Sequence, residues 1–359
     1  MDLTYELAED LETLSQEDLE SFCRILYQWY KIYYSPGDPP PIEAVKRDIL
    51  SPNEPHAKLL SIVAKNNGLL VAIARIFINE STENQHRASV RIVTKTEYQK
   101  QGIAKRVLKY ILENLPDVIT TISTHIRNDG YSSGELSWLD NKLTEYGGKM
   151  SLLDRKSGAI LENFTCSEVN KIAINHRERV EHEGYSFIFV DNYEFPQEFD
   201  MDDYLKSVEE IWNDMPRDEM DANDERLTKE DYTQLISYYR ARFYKIWMYV
   251  CLKDNKTVGL TLSMIDKLQP SIVVQDDTGV IREHRGHGLG VALKYQMLEK
   301  LMCDPESKGF IYWITHNAHS NSHMIRINNE LKYEEMATFV LYEFKKEELL
   351  EKLGYVRDN

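Results

Sequence analysis

The sequence predicts an α/β (α+β) fold made of two tandem domains, each a mixed, mostly antiparallel sheet flanked by helices. The chain has 359 residues, which is long enough for two domains that each bury a core. The same order of strands and helices is predicted in both halves, and a glycine turn follows the fourth predicted strand of each. We therefore expect one domain at 1–165 and another at 185–359, joined by a helix over 166–184.

Apolar spacing and turn residues define the elements of the first half. Leu3, Tyr5 and Leu7 alternate as in a half-buried strand. Ser15 and Asp18 form a capping-box pattern that opens a helix, and Ser35-Pro36-Gly37 ends it. The other predicted elements are a helix over 42–50, a hairpin of 59–64 and 69–78 turning at 66–68, strands over 88–94 and 118–123 with a helix from Ile103 between them, and a helix over 137–146.

The second half repeats this order after the linking helix that begins near Ser167. Thr228 and Asp231 form another capping-box pattern. The predicted elements are a strand over 185–190, helices over 201–212 and 228–242, a hairpin of 247–252 and 257–264, a strand over 273–280, a helix striped by Leu289, Leu293, Met297 and Leu301, a strand over 311–315, a helix over 321–331 and a strand over 339–344.

The repeated turn joins a strand to a helix in each half. It reads Arg285-Gly286-His287-Gly288-Leu289-Gly290 in the second half and Gln99-Lys100-Gln101-Gly102-Ile103-Ala104 in the first, 186 residues earlier. Such a turn leaves backbone N–H groups unpaired at the positive end of a helix, where a pyrophosphate binds well. A plain turn is one alternative. A Rossmann loop is another, but it requires G-x-G-x-x-G after the first strand of its domain.

The element order and the two turns resemble the GNAT superfamily of acyl-CoA-dependent N-acyltransferases. The motif is most complete in the second half, where 278–290 is followed by Asn317, Asn321, Met324 and Asn328. The tandem arrangement is similar to that of mycothiol synthase and its uncharacterised bacterial relatives. The resemblance implies acetyl-CoA as co-substrate, its pyrophosphate held by the N–H groups of 285–290 with added positive charge from Arg285 and His287. It also implies that the N–H of Val280 polarises the thioester carbonyl beside a bulge at Gly279.

The resemblance also shows where this chain departs from the family. Asn317 and Asn321 occupy positions near the pantetheine or the phosphates, although Asn321 could serve only as a helix N-cap. The tyrosine that commonly protonates the leaving thiolate is replaced by Asn328, whose amide can only hydrogen-bond the sulfur. The usual glutamate base on the fourth strand is replaced by Val274.

Another side chain, or a water chain as is common in this family, would therefore serve as the base. Asp276 lies two residues beyond Val274, so alternation places both on one strand face and makes Asp276 the first candidate. Asp277, Glu283, His284 and His316 are the further candidates. In the first half Ala88 occupies the glutamate position, and the loop from Asn128 to Gly134 looks unsuited to closing over an acceptor. We expect that half to bind acyl-CoA without turnover or to play a structural part.

Composition limits the partners. The net charge of −16 argues against nucleic acid and anionic membranes, and no apolar run approaches a membrane span. The acidic N-terminus does not look like a signal peptide, and four scattered cysteines predict free thiols in a reducing cytoplasm, with neither a disulfide nor a metal site.

The region 191–231 contains sixteen Asp or Glu and four Lys or Arg, and it includes the helices that wall the acceptor side in this fold. The sequence thus predicts an acetyltransferase that moves an acetyl group directly from acetyl-CoA to a small cationic amine, acting as a monomer or homodimer. A non-catalytic acyl-CoA-binding module and a protein lysine acetyltransferase are the alternatives.

Overall fold

A computed structural model describes residues 2–354, apart from 35–38, 52, 131–133, 135 and 243. The chain divides into two compact units. The first comprises Met1–Asp154, Arg217–Asn223 and Ala337–Asn359, and the second comprises Arg155–Pro216 and Asp224–Met336. No helix among the described residues is long and apolar enough to cross a membrane.

The first unit has six strands in the order β1-β2-β3-β4-β5-β12, antiparallel except for the parallel pair β4 and β5. Helices α1 and α2 cover one sheet face, and α3 covers the other. The elements are β1 (Leu3–Ala8), α1 (Gln16–Tyr34), α2 (Ile42–Leu50), β2 (Ala57–Asn66), β3 (Leu69–Asn79), β4 (Arg87–Thr94), α3 (Ile103–Asn114), β5 (Thr121–Arg127), α4 (Trp138–Glu145), the end of β12 (Glu334–Lys345) and α10 (Lys346–Lys352).

The second unit repeats the arrangement in the order β7-β8-β9-β10-β11-β6, with β10 and β11 parallel. Helices α6 and α7 pack on one sheet face and α8, with α5, on the other. The elements are the end of β6 (Lys149–Ile160), α5 (Cys166–Glu181), β7 (Tyr185–Asp191), α6 (Met201–Asn213), α7 (Lys229–Ala241), β8 (Tyr244–Lys253), β9 (Lys256–Asp266), β10 (Ile272–Val280), α8 (Leu289–Cys303), β11 (Tyr312–Ala318) and α9 (Ser322–Glu330).

These units confirm the predicted fold class of mixed, mostly antiparallel sheets flanked by helices. They do not coincide with the consecutive stretches 1–165 and 185–359, because each sheet takes its last strand from the other half of the chain. In the first unit, residues Phe339–Lys345 pair antiparallel with Arg127–Thr121 of β5. Local patterns predict a strand but not its partner, so the sequence gives no sign of this exchange.

The helix caps follow the sequence pattern. Ser15 accepts a hydrogen bond from the N–H of Asp18, and Thr228 forms a full capping box with Asp231. The first long helix is described up to Tyr34; the residues predicted to end it, Ser35-Pro36-Gly37, lie outside the described residues.

The prediction of four free thiols is wrong. Cys166 at the start of α5 and Cys303 at the end of α8 form a disulfide, with Cα atoms 5.4 Å apart. Their 137-residue separation hides this pairing in the sequence, because it exists only through the packing of α5 on α8. Cys23 and Cys251 are buried thiols, and burial raises the pKa of Cys251 to about 12, which makes it unreactive.

Candidate active site

The two glycine turns have the same backbone geometry. Gly286 and Gly288 have φ values of +87° and +80°, and the matching residues Lys100 and Gly102 have +58° and +76°. Each turn follows a short 3₁₀ helix, and Gly288 and Gly102 are the N-caps of α8 and α3. The predicted repeat is therefore present in the backbone conformation as well as in the sequence.

The N-terminus of α8 offers a row of backbone donors. The first helical hydrogen bond runs from the Ala292 N–H to the Gly288 carbonyl, so the N–H groups before Ala292 precede the helical ladder. The N–H of Arg285 already donates to the Arg282 carbonyl at 3.3 Å. The N–H groups that remain as candidate donors to a pyrophosphate are therefore those of 286–290, without that of Arg285.

The cations around this turn differ from those expected. Arg285 donates through Nε to the Val280 carbonyl at 3.0 Å and also pairs with Asp214, while His287 pairs with Glu183. The charge of Arg285 is thus compensated locally, and the His287 ring is held by a carboxylate. Arg179 of α5 instead lies against the turn, with Nη2 3.4 Å from the His287 carbonyl and in the space that a Cβ on Gly288 would occupy. Sequence reasoning missed Arg179 because it lies in the linking helix, more than 100 residues before the motif.

Strand β10 separates from its parallel neighbour beyond Val274. The pairing of β10 with β11 runs from Ile272–Tyr312 to Val274–Ile314 and ends there. On the other side, the Ile281 N–H donates to the Val258 carbonyl, so the adjacent pair, Val280 and Gly259, is non-hydrogen-bonded. The N–H of Val280 consequently points away from β9, toward the opened edge. An extended chain could pair there as an added strand.

Comparisons with known proteins show which family and which solved structures this chain resembles. A model described as the acetyltransferase (GNAT) family matches residues 23–133. The chain contains a GNAT acetyltransferase domain. A search among curated proteins finds no match. The sequence match thus falls in the first half, although the motifs noted above are more complete in the second.

Solved structures extend the likeness to the whole chain. A tandem GNAT protein from the clavulanic acid biosynthesis pathway has a TM-score of 0.72 at 17% identity, covering 96% of this chain and 99% of that protein. A GCN5-related N-acetyltransferase from Sphaerobacter thermophilus has a TM-score of 0.62 at 13% identity, covering 96% of both chains. A glucosamine N-acetyltransferase region of a fungal multi-domain β-N-acetylglucosaminidase has the same TM-score and identity, covering 96% of this chain and 38% of that one. The fold is therefore the tandem GNAT fold, and the chemistry of the matched family is acyl transfer from acetyl-CoA.

The bulge in the second unit lies earlier than predicted. The β9–β10 register shifts between Gln275 and Thr278, whereas Gly279 pairs regularly with Leu260. Buried Gln275 donates to the carbonyls of Leu262 and Asp277, at 2.7 and 3.0 Å, and so holds the distorted backbone. Glycine is required at 279 for another reason, because a Cβ there would collide with Ile211 of α6.

This bulge determines which aspartates share a face with Val274. Asp276 and Asp277 lie between the pairs Gln275–Ser263 and Thr278–Thr261, so both oppose Leu262, and the extra residue adds Asp277 to the face on which Asp276 was predicted. Asp276 is exposed, while Asp277 accepts a 2.7 Å hydrogen bond from Trp212 Nε1 of α6. Burial raises the pKa of the Asp277 carboxyl. The choice of Asp276 as base stays a prediction, and Asp277 is the second candidate on this face.

The three asparagines of the motif separate into two roles. Asn321 is the N-cap of α9, where Oδ1 accepts from the Met324 N–H at 3.1 Å. Asn328 is buried, and its Nδ2 donates to Asn317 Oδ1 at 2.8 Å. Its Oδ1 accepts from the ammonium of Lys294 at 2.5 Å, a contact that sequence reasoning did not anticipate. The remaining base candidates stay predictions: Glu283 is exposed, His316 is half-buried on β11, and His284 is bonded to the Tyr185 hydroxyl at 3.1 Å.

The first unit has the turn but not the bulge. Strands β3 and β4 pair without a register shift, and β4 pairs with β5 only from Arg87 to Ser89. The side chains of Gln99 and Gln101 fold back onto the carbonyls of Thr94 and Glu97. Ile103 is buried and Ala104 is exposed. In the loop from Asn128 to Gly134, Tyr131–Ser133 and Glu135 beside it lie outside the described residues.

Many carboxylates of the acidic region 191–231 have structural partners. Asp200 and Asp231 cap helices, Asp203 accepts from the Thr257 N–H, and Asp214 pairs with Arg282 and Arg285. Asp221 belongs to the first unit, where Lys345 and Thr121 lower its pKa to about 2. This region therefore contributes less free negative charge than its composition suggests. Among the described residues, no cluster of His, Cys, Asp and Glu could hold a metal ion.

Proposed function

We propose that the second unit is the working acetyltransferase site and that it transfers an acetyl group from acetyl-CoA directly to a primary amine. The observation that carries this proposal is the bulge at 276–277, which is present in β10 and absent from β4. With it, the half-buried carboxylate of Asp277 contacts α6, three residues before Val280, whose N–H faces the opened edge.

Different groups of the second unit bind the co-substrate, polarise the thioester and accept the proton. The N–H groups of 286–290 bind the pyrophosphate, with Arg179 adding charge. The N–H of Val280 donates to the thioester carbonyl oxygen as negative charge develops there. The acceptor ammonium first loses a proton through water to Asp277. The free amine nitrogen then bonds to the acyl carbon, the carbon–sulfur bond breaks, and the second nitrogen proton passes to solvent water. The thiolate leaves without a tyrosine acid, because Asn328 holds that position.

The acceptor that we propose is a small cationic amine. Asp276 and Asp277 are adjacent carboxylates on β10, and they attract an ammonium and disfavour acidic acceptors. Glucosamine belongs in the first panel of amines, since one structural neighbour is named for that activity. The prediction of a cytoplasmic location rested on free thiols. It loses that support, because Cys166 and Cys303 form a disulfide.

Two matched glycine variants test the assignment of the working site. Gly288 and Gly102 are both helix N-caps with φ near +80°, so leucine at either position meets similar backbone strain, and only the leucine at 288 also displaces Arg179. We expect Gly288→Leu to weaken acetyl-CoA binding by at least about tenfold in calorimetry and to abolish thiol release. Gly102→Leu should retain most turnover.

Each other outcome is informative. Unchanged affinity in Gly288→Leu would remove the assignment of the turn. Equal losses in both variants would mean that both sites work or that they are coupled. Wild-type binding without turnover of any amine in the panel would favour a non-catalytic acyl-CoA-binding module.

A further inference from the structure

The second unit buries a lysine without a carboxylate partner. Lys294 of α8 is 1% exposed, and the described residues place no carboxylate within ion-pair distance of it. Its ammonium lies 5.1 Å from the centre of the Trp313 ring and 4.6 Å from that of Tyr333. Its hydrogen bond goes to Asn328 Oδ1. Burying a charge in this way is costly and calls for a reason beyond packing.

The same helix of the first unit shows that the fold does not need this lysine. Lys294 is the sixth residue after the N-cap Gly288, and Leu108 is the sixth after the N-cap Gly102. Leu108 packs against the apolar core of its unit. The two units therefore differ at this position by a buried charge, and the charge lies in the unit with the bulge.

The lysine fixes the orientation of two amides. Lys294 Nζ donates to Asn328 Oδ1, so Asn328 turns Oδ1 toward Lys294 and Nδ2 toward Asn317. Asn317 then accepts with Oδ1, and its Nδ2 remains as a donor. Asn317 is half-buried and lies three residues beyond Ile314, where the pairing with β10 ends. The chain of bonds thus ends on an amide donor of β11, the strand that borders the opened edge of the sheet.

We propose that Lys294 is a positioning residue that acts through Asn328 to hold the Asn317 amide as a hydrogen-bond donor to acyl-CoA. The inference rests on the proposed function of this site. The acceptor is an oxygen of the pantetheine arm or the leaving sulfur, and kinetics separate the two. Loss of a bond to the sulfur lowers kcat, whereas loss of a bond to the arm raises KM for acetyl-CoA.

The central variant is Lys294→Met, which keeps the length of the side chain and removes the donor. We expect kcat/KM to fall about tenfold, the usual effect of losing one oriented hydrogen bond. Stability at pH 7 should not fall, because removal of the buried charge outweighs the loss of the donor to Asn328 Oδ1. The kcat/KM of Asn317→Asp should fall by at least as much, since a carboxylate still accepts from Asn328 but cannot donate. The double variant should lose little more than Asn317→Asp alone.

Leu108→Met is the matched control, because Leu108 occupies the corresponding position of α3 in the first unit and lies outside the chain of bonds. Its kcat/KM should stay within about twofold of wild type. A Lys294→Met protein with unchanged kcat/KM, or one that loses activity only in step with stability, would overturn the inference.

The controls also separate this inference from the proposed function. If the wild type turns over an amine and Lys294→Met is unaffected, only the inference fails. If the wild type binds acetyl-CoA without turnover, a tenfold weaker Kd in Lys294→Met supports the inference, and an equal Kd overturns it. If the wild type does not bind acetyl-CoA, the proposed function fails, and the inference fails with it.

Discussion

Replacement of Lys294 by methionine should make the stability of the second unit less dependent on pH. Burial lowers the pKa of the Lys294 ammonium from 10.5 to about 7. Between these two values the unfolded chain binds a proton that the folded chain does not. The free energy of unfolding of the wild type therefore rises with pH in this window, relative to the variant.

The size of the effect follows from the shift. A shift of about 3.5 pKa units at about 1.4 kcal/mol per unit destabilises the wild type by about 5 kcal/mol well below pH 7. This penalty declines to about 2 kcal/mol at pH 9, so the gap between wild type and variant should change by about 2 kcal/mol from pH 7 to 9. Methionine also leaves Asn328 Oδ1 without its donor, which costs about 1–3 kcal/mol at every pH and does not alter the slope.

Denaturant unfolding followed by tryptophan fluorescence measures this gap. Trp313 is fully buried beside Lys294, and the neighbouring Tyr333 stays neutral across the range because burial raises its pKa. Leu108→Met at the matching position of the first unit is the control, and its gap from wild type should be flat. A flat gap for Lys294→Met from pH 7 to 9 would refute the reasoning, because it would mean that the folded lysine keeps its proton.

Three further predictions concern catalysis. Because burial raises the pKa of Asp277, kcat/KM should fall as pH drops through that raised value. Asp277→Asn should lower kcat and abolish this acidic limb while Asp276→Asn keeps it; the opposite pattern in a pH–rate profile would make Asp276 the base. Arg179→Gln should weaken acetyl-CoA binding several-fold in calorimetry, and an equal Kd would exclude contact with the phosphates. Salt should raise KM for a cationic acceptor and leave kcat nearly constant, since exposed charges are screened; a flat KM would mean that charge does not select the acceptor.

Most elements of the fold were accessible from the sequence because their signals are local. The helix Ile42–Leu50 has its predicted bounds, and both glycine turns contain residues in the left-handed conformation, as their glycines suggest. Strand β6 (Lys149–Ile160) was not predicted, since its charged residues interrupt the alternation. The exchange of β6 and β12 was also inaccessible, because a strand pattern does not specify a partner.

The candidate site was predictable only where side chains alternate regularly along a strand and apolar residues keep the spacing of a helix. The choice of Asp276 assumed an unbroken strand, and a bulge of one residue moved Asp277 onto that face. Lys294 directly follows Leu293, a residue of the predicted apolar stripe of α8. A charged residue beside such a stripe usually lies at its exposed edge. It is buried because α8 is covered on almost every side, from Leu289 to Leu301.

A crystal structure with bound acetyl-CoA tests the central claim most directly. The account predicts the pyrophosphate on the N–H groups of 286–290, beside Arg179. It also predicts the thioester carbonyl within hydrogen-bond distance of the Val280 N–H, and an acceptor atom of the ligand on Asn317 Nδ2. Acetyl-CoA bound only at the turn 99–104, or with its thioester remote from Val280, would contradict the assignment of the second unit as the working site.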